Sequence, residues 1–307
     1  MQSNQKPIVV VGSVTMDMVT RAKQIPRVGQ TVIGTGFQTT PGGKGANQAV
    51  AAARLGYPVE MVGLVGNDVY GPVLLEKLAR AGVKTAAMGR ADGSSGLAPI
   101  FLAENGENAI IVVPGANGKV DCALIDKHAD LIRSAGMVLF QLELPLETLP
   151  HTLKLCAEAG VPVMLDPAPA APLPDEVWSR VAWFTPNESE AAFYLEPSMK
   201  VEAAAAEFLS RGVKGVVLKR GSEGAFVAVH DCAAWVPPFE VKATDTVGAG
   251  DCFNGAFAVA LLEGLDPWRA AEFANAAAAI SVTRPGAQAS MPTRAEVDLL
   301  MAQNRRP

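Results

Sequence analysis

The chain has 307 residues, enough for one large hydrophobic core or a core with an appendage, since single cores stop growing near ~250–300 residues. Apolar residues make up 49% and charged residues 19%, which excludes a disordered chain. A net charge of -5 without a dense Lys/Arg run argues against nucleic acid or an anionic membrane surface as the main partner, so an anionic ligand needs a local site.

The short apolar run at residues 8–11, stopped by Gly12-Ser13, reads as a first β-strand and is too short for a signal-peptide core. Residues 14–23 and 31–40 are two extended runs around the turn-prone Pro26-Arg27-Val28-Gly29. Helical patterns follow at 46–55, ending at Gly56, and at 71–80, ending near Gly82. Residues 96–103 and 108–113 flank Glu104-Asn105-Gly106-Glu107, a hairpin with Asn-Gly at its tip. Further strands are expected at 137–140, 162–165, 182–184 and 215–218, with helices at 146–159 and 201–211. Residues 225–229 and 233–236, joined by His230-Asp231-Cys232, read as a hairpin at a sheet edge. Two helices at 252–262 and 267–283, dense in Ala, close the chain and suggest very close packing.

Continuous apolar strands separated by helices imply an α/β fold, with a mostly parallel sheet covered on both faces. A single domain over 1–307 is expected. Segments 14–23, 31–40 and 96–113 cannot sit in that parallel core; a small β-sheet lid over its C-terminal edge is the natural place for them. No stretch approaches the ~18 apolar residues needed to span a bilayer. Cys122, Cys156, Cys232 and Cys252 form no CxxC pair, which argues against zinc or disulfide scaffolds and for reduced thiols in the cytoplasm.

Two loops carry chemistry. Asp245-Thr246-Val247-Gly248-Ala249-Gly250-Asp251 places small residues where a loop becomes a helix. The backbone amides of Gly248, Ala249 and Gly250 can approach an anion there, helped by roughly half a positive charge at the helix start. Asp251 beside that anion suits a reaction in which a hydroxyl loses its proton while attacking a phosphoryl group. The plainer alternative is a helix N-terminus with Asp near its cap. The second loop, Pro41-Gly42-Gly43-Lys44-Gly45-Ala46-Asn47-Gln48, lacks the Walker A spacing, and Asn47 at its helix start can offer an amide to sugar hydroxyls. Alone, it is equally a glycine-rich turn capping a helix.

Further blocks stand in order along the chain. They are Gly12-Ser13-Val14-Thr15-Met16-Asp17, Gln141-Leu142-Glu143, Asp166-Pro167-Ala168-Pro169, Thr185-Pro186-Asn187-Glu188-Ser189-Glu190, Gly221-Ser222-Glu223-Gly224 and Thr283-Arg284-Pro285-Gly286-Ala287-Gln288. With the two loops, they give a chain that resembles the ribokinase/phosphofructokinase-B family of sugar kinases over about residues 6–300. The resemblance implies a three-layer α/β/α fold and ATP-dependent transfer of phosphate to a sugar.

It also implies roles. Asp251 corresponds to the family's catalytic base, and Gly248, Ala249 and Gly250 to its anion hole. At a helix N-terminus, Asp251 is expected to have a lowered pKa. Thr15, Asp17, Gly42, Gly43, Lys44, Asn47 and Glu143 match sugar-contacting positions, and two carboxylates suit a polyol. Asn187, Lys219, Gly221, Ser222, Gly224, Gly250 and Asn275 match the ATP side. Glu190 would act on Mg²⁺ through water. Taken alone, Asn187 and Glu190 cap the helix after Pro186. A monovalent cation, K⁺ in most members, would sit by Asp245, Val247, Ser281, Arg284, Gly286 and Ser290, with Asp245 and Ser290 carrying the side-chain signal.

Two positions depart from the pattern: Thr15 stands where an Asn that bonds ribose hydroxyls is common, and Lys219 where Thr is common. The expected reaction is 5-phosphorylation of D-ribose, with 2-deoxyribose, fructose or another ketose, or a nucleoside, as rival substrates. A sugar-sensing binding protein is the non-enzymatic rival. Family lids commonly pair, so a homodimer is expected.

Overall fold

The computed structural model describes residues 5–304. The run Ile8–Val11 forms β1 at the centre of a ten-stranded sheet, and alternate side chains on it enter different cores. Ile8 and Val10 face one cluster and Val9 and Val11 the other, the signature of a strand buried on both sides. Thr15–Ala22 (β2) and Gly34–Gly42 (β3) follow, then helix α1 (Lys44–Arg54). The run Val59–Gly66 has two glycines and a glutamate and does not stand out in the sequence, yet it forms β4, which pairs in parallel with β1.

Next come α2 (Tyr70–Arg80), β5 (Val83–Lys84) and β6 (Met88–Ala91), the two strands both beside β4. Strands β7 (Gly96–Ala103) and β8 (Asn108–Ile110) form the hairpin with Gly106 at its tip. Helices α3 (Cys122–Lys127) and α4 (Ala129–Ser134) lead to β9 (Met137–Gln141), α5 (Thr148–Glu158), β10 (Val163–Asp166), α6 (Asp175–Trp178), β11 (Trp183–Phe184), α7 (Glu188–Tyr194), α8 (Val201–Ser210) and β12 (Gly215–Lys219). The antiparallel β13 (Ala225–Val229) and β14 (Cys232–Val236) finish the edge. Helices α9 (Ala249–Leu262), α10 (Pro267–Ser281) and α11 (Arg294–Asn304) complete the chain.

The main sheet runs β14-β13-β12-β11-β10-β9-β1-β4-β5, with β6 also on β4. Strands β9 to β12 lie on one side of β1 and β4 on the other, so the direction of winding reverses at β1. Ligands of open α/β sheets bind at the carboxyl ends of strands near such a switch. Gly12-Ser13, Glu143, Asp166 and Lys219 all stand at or just beyond those ends.

The expected outer segments form a second sheet, β3-β2-β7-β8. It is mixed, because β2 pairs with β7 in parallel and with β3 antiparallel. Strand β3 runs two residues past the expected end, to Gly42, which delivers the chain straight into α1. Phe37, Ile33, Ile110, Ile111 and Val112 are exposed on or beside this sheet. Among the described residues, no helix is long and apolar enough to cross a membrane.

Helices α1 and α9 approach closely because Gly255 has no side chain. A β-carbon there would lie 2.7 Å from Gln48 O and 2.8 Å from Ala51 Cβ. Since Gln48 O is backbone, relief requires moving α1 itself. Gly255→Leu is therefore expected to destabilise the protein by about 1–3 kcal/mol through overpacking. An unchanged urea unfolding midpoint would contradict this account of the helix contact.

Candidate active site

The loop ahead of α9 is held by its own acid. Asp245 Oδ1 accepts the Val247 amide at 3.0 Å and Oδ2 accepts the Gly286 amide at 2.8 Å. Gly248 then takes the left-handed conformation, φ 75°, and a β-carbon on it would lie 3.0 Å from Ala287 Cβ. Only glycine suits both the torsion and the space. No side chain caps α9, whose first amides therefore lack helical partners. Ala249 N–H turns back to Thr246 O at 3.2 Å, so one of the three expected amides is spent inside the loop. The Gly250 and Asp251 amides have no intramolecular acceptor among the described residues.

Asp251 is 6% exposed. Its Oδ2 accepts Asn47 Nδ2 at 2.9 Å and its Oδ1 accepts Gln48 Nε2 at 3.2 Å. Burial pushes its pKa up to about 6, with Asp166 adding to the rise; Lys44, Asn47 and Gln48 only partly oppose it. The lowered value expected from the helix N-terminus is thus overturned: loss of water outweighs the helix dipole. One N–H of the Asn47 amide goes to Asp251, which leaves the other N–H for a ligand. The buried Asn47 Oδ1 has no protein partner and is also open to a ligand hydroxyl.

On the β2 side, Thr15 Oγ1 donates to Asp17 Oδ1 at 2.9 Å. Burial raises the Asp17 pKa to about 6; the Thr15 bond opposes this and the charge of Glu143 reinforces it. A β-carbon on Gly42 would come within 2.3 Å of Asp17 Oδ2, so that glycine makes room for the carboxylate. Glu143 Oε2 accepts from both Ser13 Oγ and the Lys44 amide. Gly43, with φ 89°, turns β3 into α1. Burial works against the Lys44 ammonium, but Asp251, Asp166, Glu143 and Glu190 outweigh it and hold its pKa above the usual lysine value.

A cavity of ≈ 570 Å³ opens from this point. All seven positions expected on the nucleotide side line it: Asn187, Lys219, Gly221, Ser222, Gly224, Gly250 and Asn275. Phe239, Val241, Phe253, Ala278, Ala279 and Val282 supply an apolar wall that the sequence motifs did not mark. Asn275 Nδ2 donates to Val236 O and Pro237 O at 3.1 and 2.9 Å, tying the end of β14 to α10. Asn187 and Glu190 form a full capping box on α7, with Glu190 N to Asn187 Oδ1 at 2.9 Å and Asn187 N to Glu190 Oε2 at 2.7 Å. The plainer capping role therefore holds, while both residues also line the cavity. Burial raises the Glu190 pKa and Asp166 adds to the rise; Lys219 and Lys44 oppose it.

Asp166 is a site residue to which no role was attached from sequence. Its position at the carboxyl end of β10 was the available signal. It accepts Gln48 Nε2 on Oδ2 and Lys219 Nζ on Oδ1, both at 2.9 Å. Gln48 Oε1 accepts Gln141 Nε2 at 2.7 Å, so the polar network continues to the end of β9.

The six positions expected around a monovalent cation fall beside the α9 loop, and the four with polar side chains bond within the protein. Asp245 closes the loop on Val247 and Gly286, Arg284 pairs with Glu296, Ser281 Oγ donates to Ala278 O, and Ser290 Oγ to Ala287 O. Each Asp245 oxygen accepts one N–H and the Ser290 hydroxyl donates its proton, so both keep lone pairs beside the carbonyl oxygens of the loop. Among the described residues, no trio of His, Cys, Asp or Glu is placed to hold a metal.

The sequence and fold have clear relatives. The family model described as pfkB family carbohydrate kinase matches residues 5–294. The ribokinase of Bacillus subtilis (strain 168) is 46% identical over 296 residues, covering 96% of this chain and 99% of the relative. The deoxyribokinase of Salmonella typhi is 35% identical, covering 93% and 95% of the two chains. The structure of Arabidopsis thaliana ribokinase complexed with ribose and ATP is similar with TM-score 0.92 and 35% identity, covering 97% of this chain and 99% of that one. With the family model spanning nearly the whole length and the cavity, acid and amide loop in place, the chain belongs to the pfkB family of carbohydrate kinases.

Proposed function

We propose that the protein transfers the terminal phosphoryl group of ATP to the 5-hydroxyl of D-ribose. The observation that carries this reading is the place of Asp251. It lines the cavity that begins at the free amides of α9, and α1 joins it to Glu143, since Asn47 bonds Asp251 and the Lys44 amide bonds Glu143. In the reaction, the sugar oxygen forms a bond to phosphorus while the bond to ADP breaks. The hydroxyl proton passes to Asp251 and the developing charge on the phosphoryl oxygens meets the Gly250 and Asp251 amides. An acceptor with a pKa near 6 is ionised at neutral pH and remains the stronger base for its burial.

ATP would enter as its Mg²⁺ complex, and the residues present fit that ion. Glu190 is a hard oxygen donor on the cavity wall, and Mg²⁺ favours such oxygens while retaining waters, through which Glu190 would act. The ion supplies neutralisation of phosphate charge. A monovalent cation, K⁺ by preference, would sit on oxygens around Asp245, Val247, Ser281, Arg284, Gly286 and Ser290, mostly carbonyls, with Asp245 and Ser290 able to add side-chain oxygens. The sheet β3-β2-β7-β8 would serve as a lid, and its exposed apolar residues as a contact between two copies in a homodimer. A cytoplasmic location is in keeping with four free cysteines.

One observation favours 2-deoxyribose as a competing substrate. The Thr15 hydroxyl is already donated to Asp17, so it offers a sugar hydroxyl less than an amide would. One lost hydrogen bond is worth about 0.5–1.5 kcal/mol, enough to narrow a preference without reversing binding. The relationship to a deoxyribokinase supports the same rival. An ADP-release assay across ribose, 2-deoxyribose, fructose and adenosine decides it; ribose ranking well below the others would overturn the substrate assignment.

Three further outcomes follow from the site. Asp251→Asn should lower kcat by ~10²–10⁴, the usual range for loss of a positioned base, with ribose affinity by calorimetry kept within a few-fold. A variant that turned over normally would remove Asp251 from the chemistry. The pH profile should fall on the acid side. Asp17 and Asp251 both have pKa values raised to about 6 in the free protein, so each is ionised above that pH and protonates below it. Log kcat/KM should therefore drop with a slope steeper than one below about pH 6, and a flat profile down to pH 5 would contradict both assignments. Gly42→Ala should push Asp17 aside, costing about 1.5–3 kcal/mol of a charged hydrogen bond. This should raise the sugar KM by roughly 10- to 100-fold and leave the ATP KM unchanged.

A further inference from the structure

The last residue of β12, Lys219, has a nearly buried side chain, 11% exposed, paired with an Asp166 side chain that is 3% exposed. Their contact, Nζ to Oδ1, is 2.9 Å. Such a pair is a weak source of stability, because desolvating two charges costs about what their attraction returns. The position of the ammonium suggests another use. A β-carbon placed on Gly250 would lie 3.5 Å from Nζ, so the charge overhangs the start of α9, where the Gly250 and Asp251 amides lack acceptors. An ammonium has three donors and Asp166 takes one of them. Through Asp166 and Gln48, Lys219 is also linked to Asp251 itself.

We infer that Lys219 is a phosphate ligand of the reacting complex, with Asp166 as the group that positions it; this rests on the phosphoryl-transfer reading above. One N–H stays on Asp166, and the others turn to the non-bridging oxygens of the terminal nucleotide phosphates. When the sugar oxygen–phosphorus bond forms and the bond to ADP breaks, the electron pair goes to the ADP oxygen and the proton to Asp251. Lys219 neither gives nor takes a proton. Its contribution is charge, held in place beforehand and strongest as negative charge collects on the leaving group. Lys44 reaches the same acids from α1, so the phosphates enter between two lysines brought in by different elements.

The test separates phosphate binding from simple neutralisation of Asp166. Lys219→Met should lower kcat ~10²–10³-fold, as expected for loss of one preorganised charge donor. The dissociation constant for ADP should rise about 10-fold by titration calorimetry, while that for AMP, which lacks the outer phosphate, changes less than about 2-fold. Lys219→Arg should recover part of the ADP affinity. The double variant Asp166→Asn/Lys219→Met removes both partners of the pair, so it gives the same readout if Lys219→Met alone does not fold. It is expected to stay defective in turnover and in ADP affinity.

Restoration of turnover in the double variant would overturn the inference, as would equal weakening of ADP and AMP. Turnover of no sugar by the unaltered protein would instead refute the proposed function. Normal turnover by Lys219→Met refutes the role of Lys219 alone.

Discussion

The grip of α1 on Asp251 organises the rest of the site. Asn47 and Gln48 are neighbours on one helix, and each gives an amide N–H to a different oxygen of the same carboxylate. That requires the N-termini of α1 and α9 to converge, which in turn requires glycine at the crossing points. Gly45 passes so near the β1–β2 turn that a β-carbon on it would be 2.6 Å from Gly12 Cα, and Gly255 lets α1 lie against α9. The acid is oriented by donors on both of its oxygens and held out of water by the packing. Orientation and burial come from the same contact, and burial is what lifts its pKa.

The network also concentrates charge where a protein would ordinarily avoid it. Asp251, Asp166, Glu190 and Glu143 all act on Lys44, and Lys219 closes the far side on Asp166. In a low-dielectric cleft, these charges are poorly screened, which is expensive for the free protein. The same poor screening makes each cation and each open amide more effective toward a highly charged guest. The large apolar wall beside them, from Phe239 to Val282, has the opposite character and suits the flat part of a nucleotide.

Much of this was readable in the sequence, for identifiable reasons. β-branched runs such as residues 8–11 and 215–218 can hardly be anything except buried strands, and the glycine-rich loops mark where backbone must come close to something. What escaped is non-local. Strand β4 was hidden by Gly63 and Gly66, whose missing side chains make room for Gly12 O and for residues 93–95. The direction of the Asp251 pKa could not be read from a helix start, because it depends on how completely other elements cover it. The same holds for Asn47, Asp245 and Ser290: a motif shows which residue type is present, and packing decides which of its atoms is already taken. Lys219 stood out in sequence as an ATP-side position with an uncommon residue, and the structure adds its contact with Asp166 and its place over the α9 loop.

The two acids suited to sugar hydroxyls are carried by different sheets. Asp17 lies in β2 of the outer sheet, whereas Glu143 follows β9 in the central one. A polyol that bonded both, as the proposed function requires, would act as a crosslink between the two sheets. In the proposed reaction the acceptor would therefore do two jobs at once, presenting its hydroxyl and tying the two sheets together.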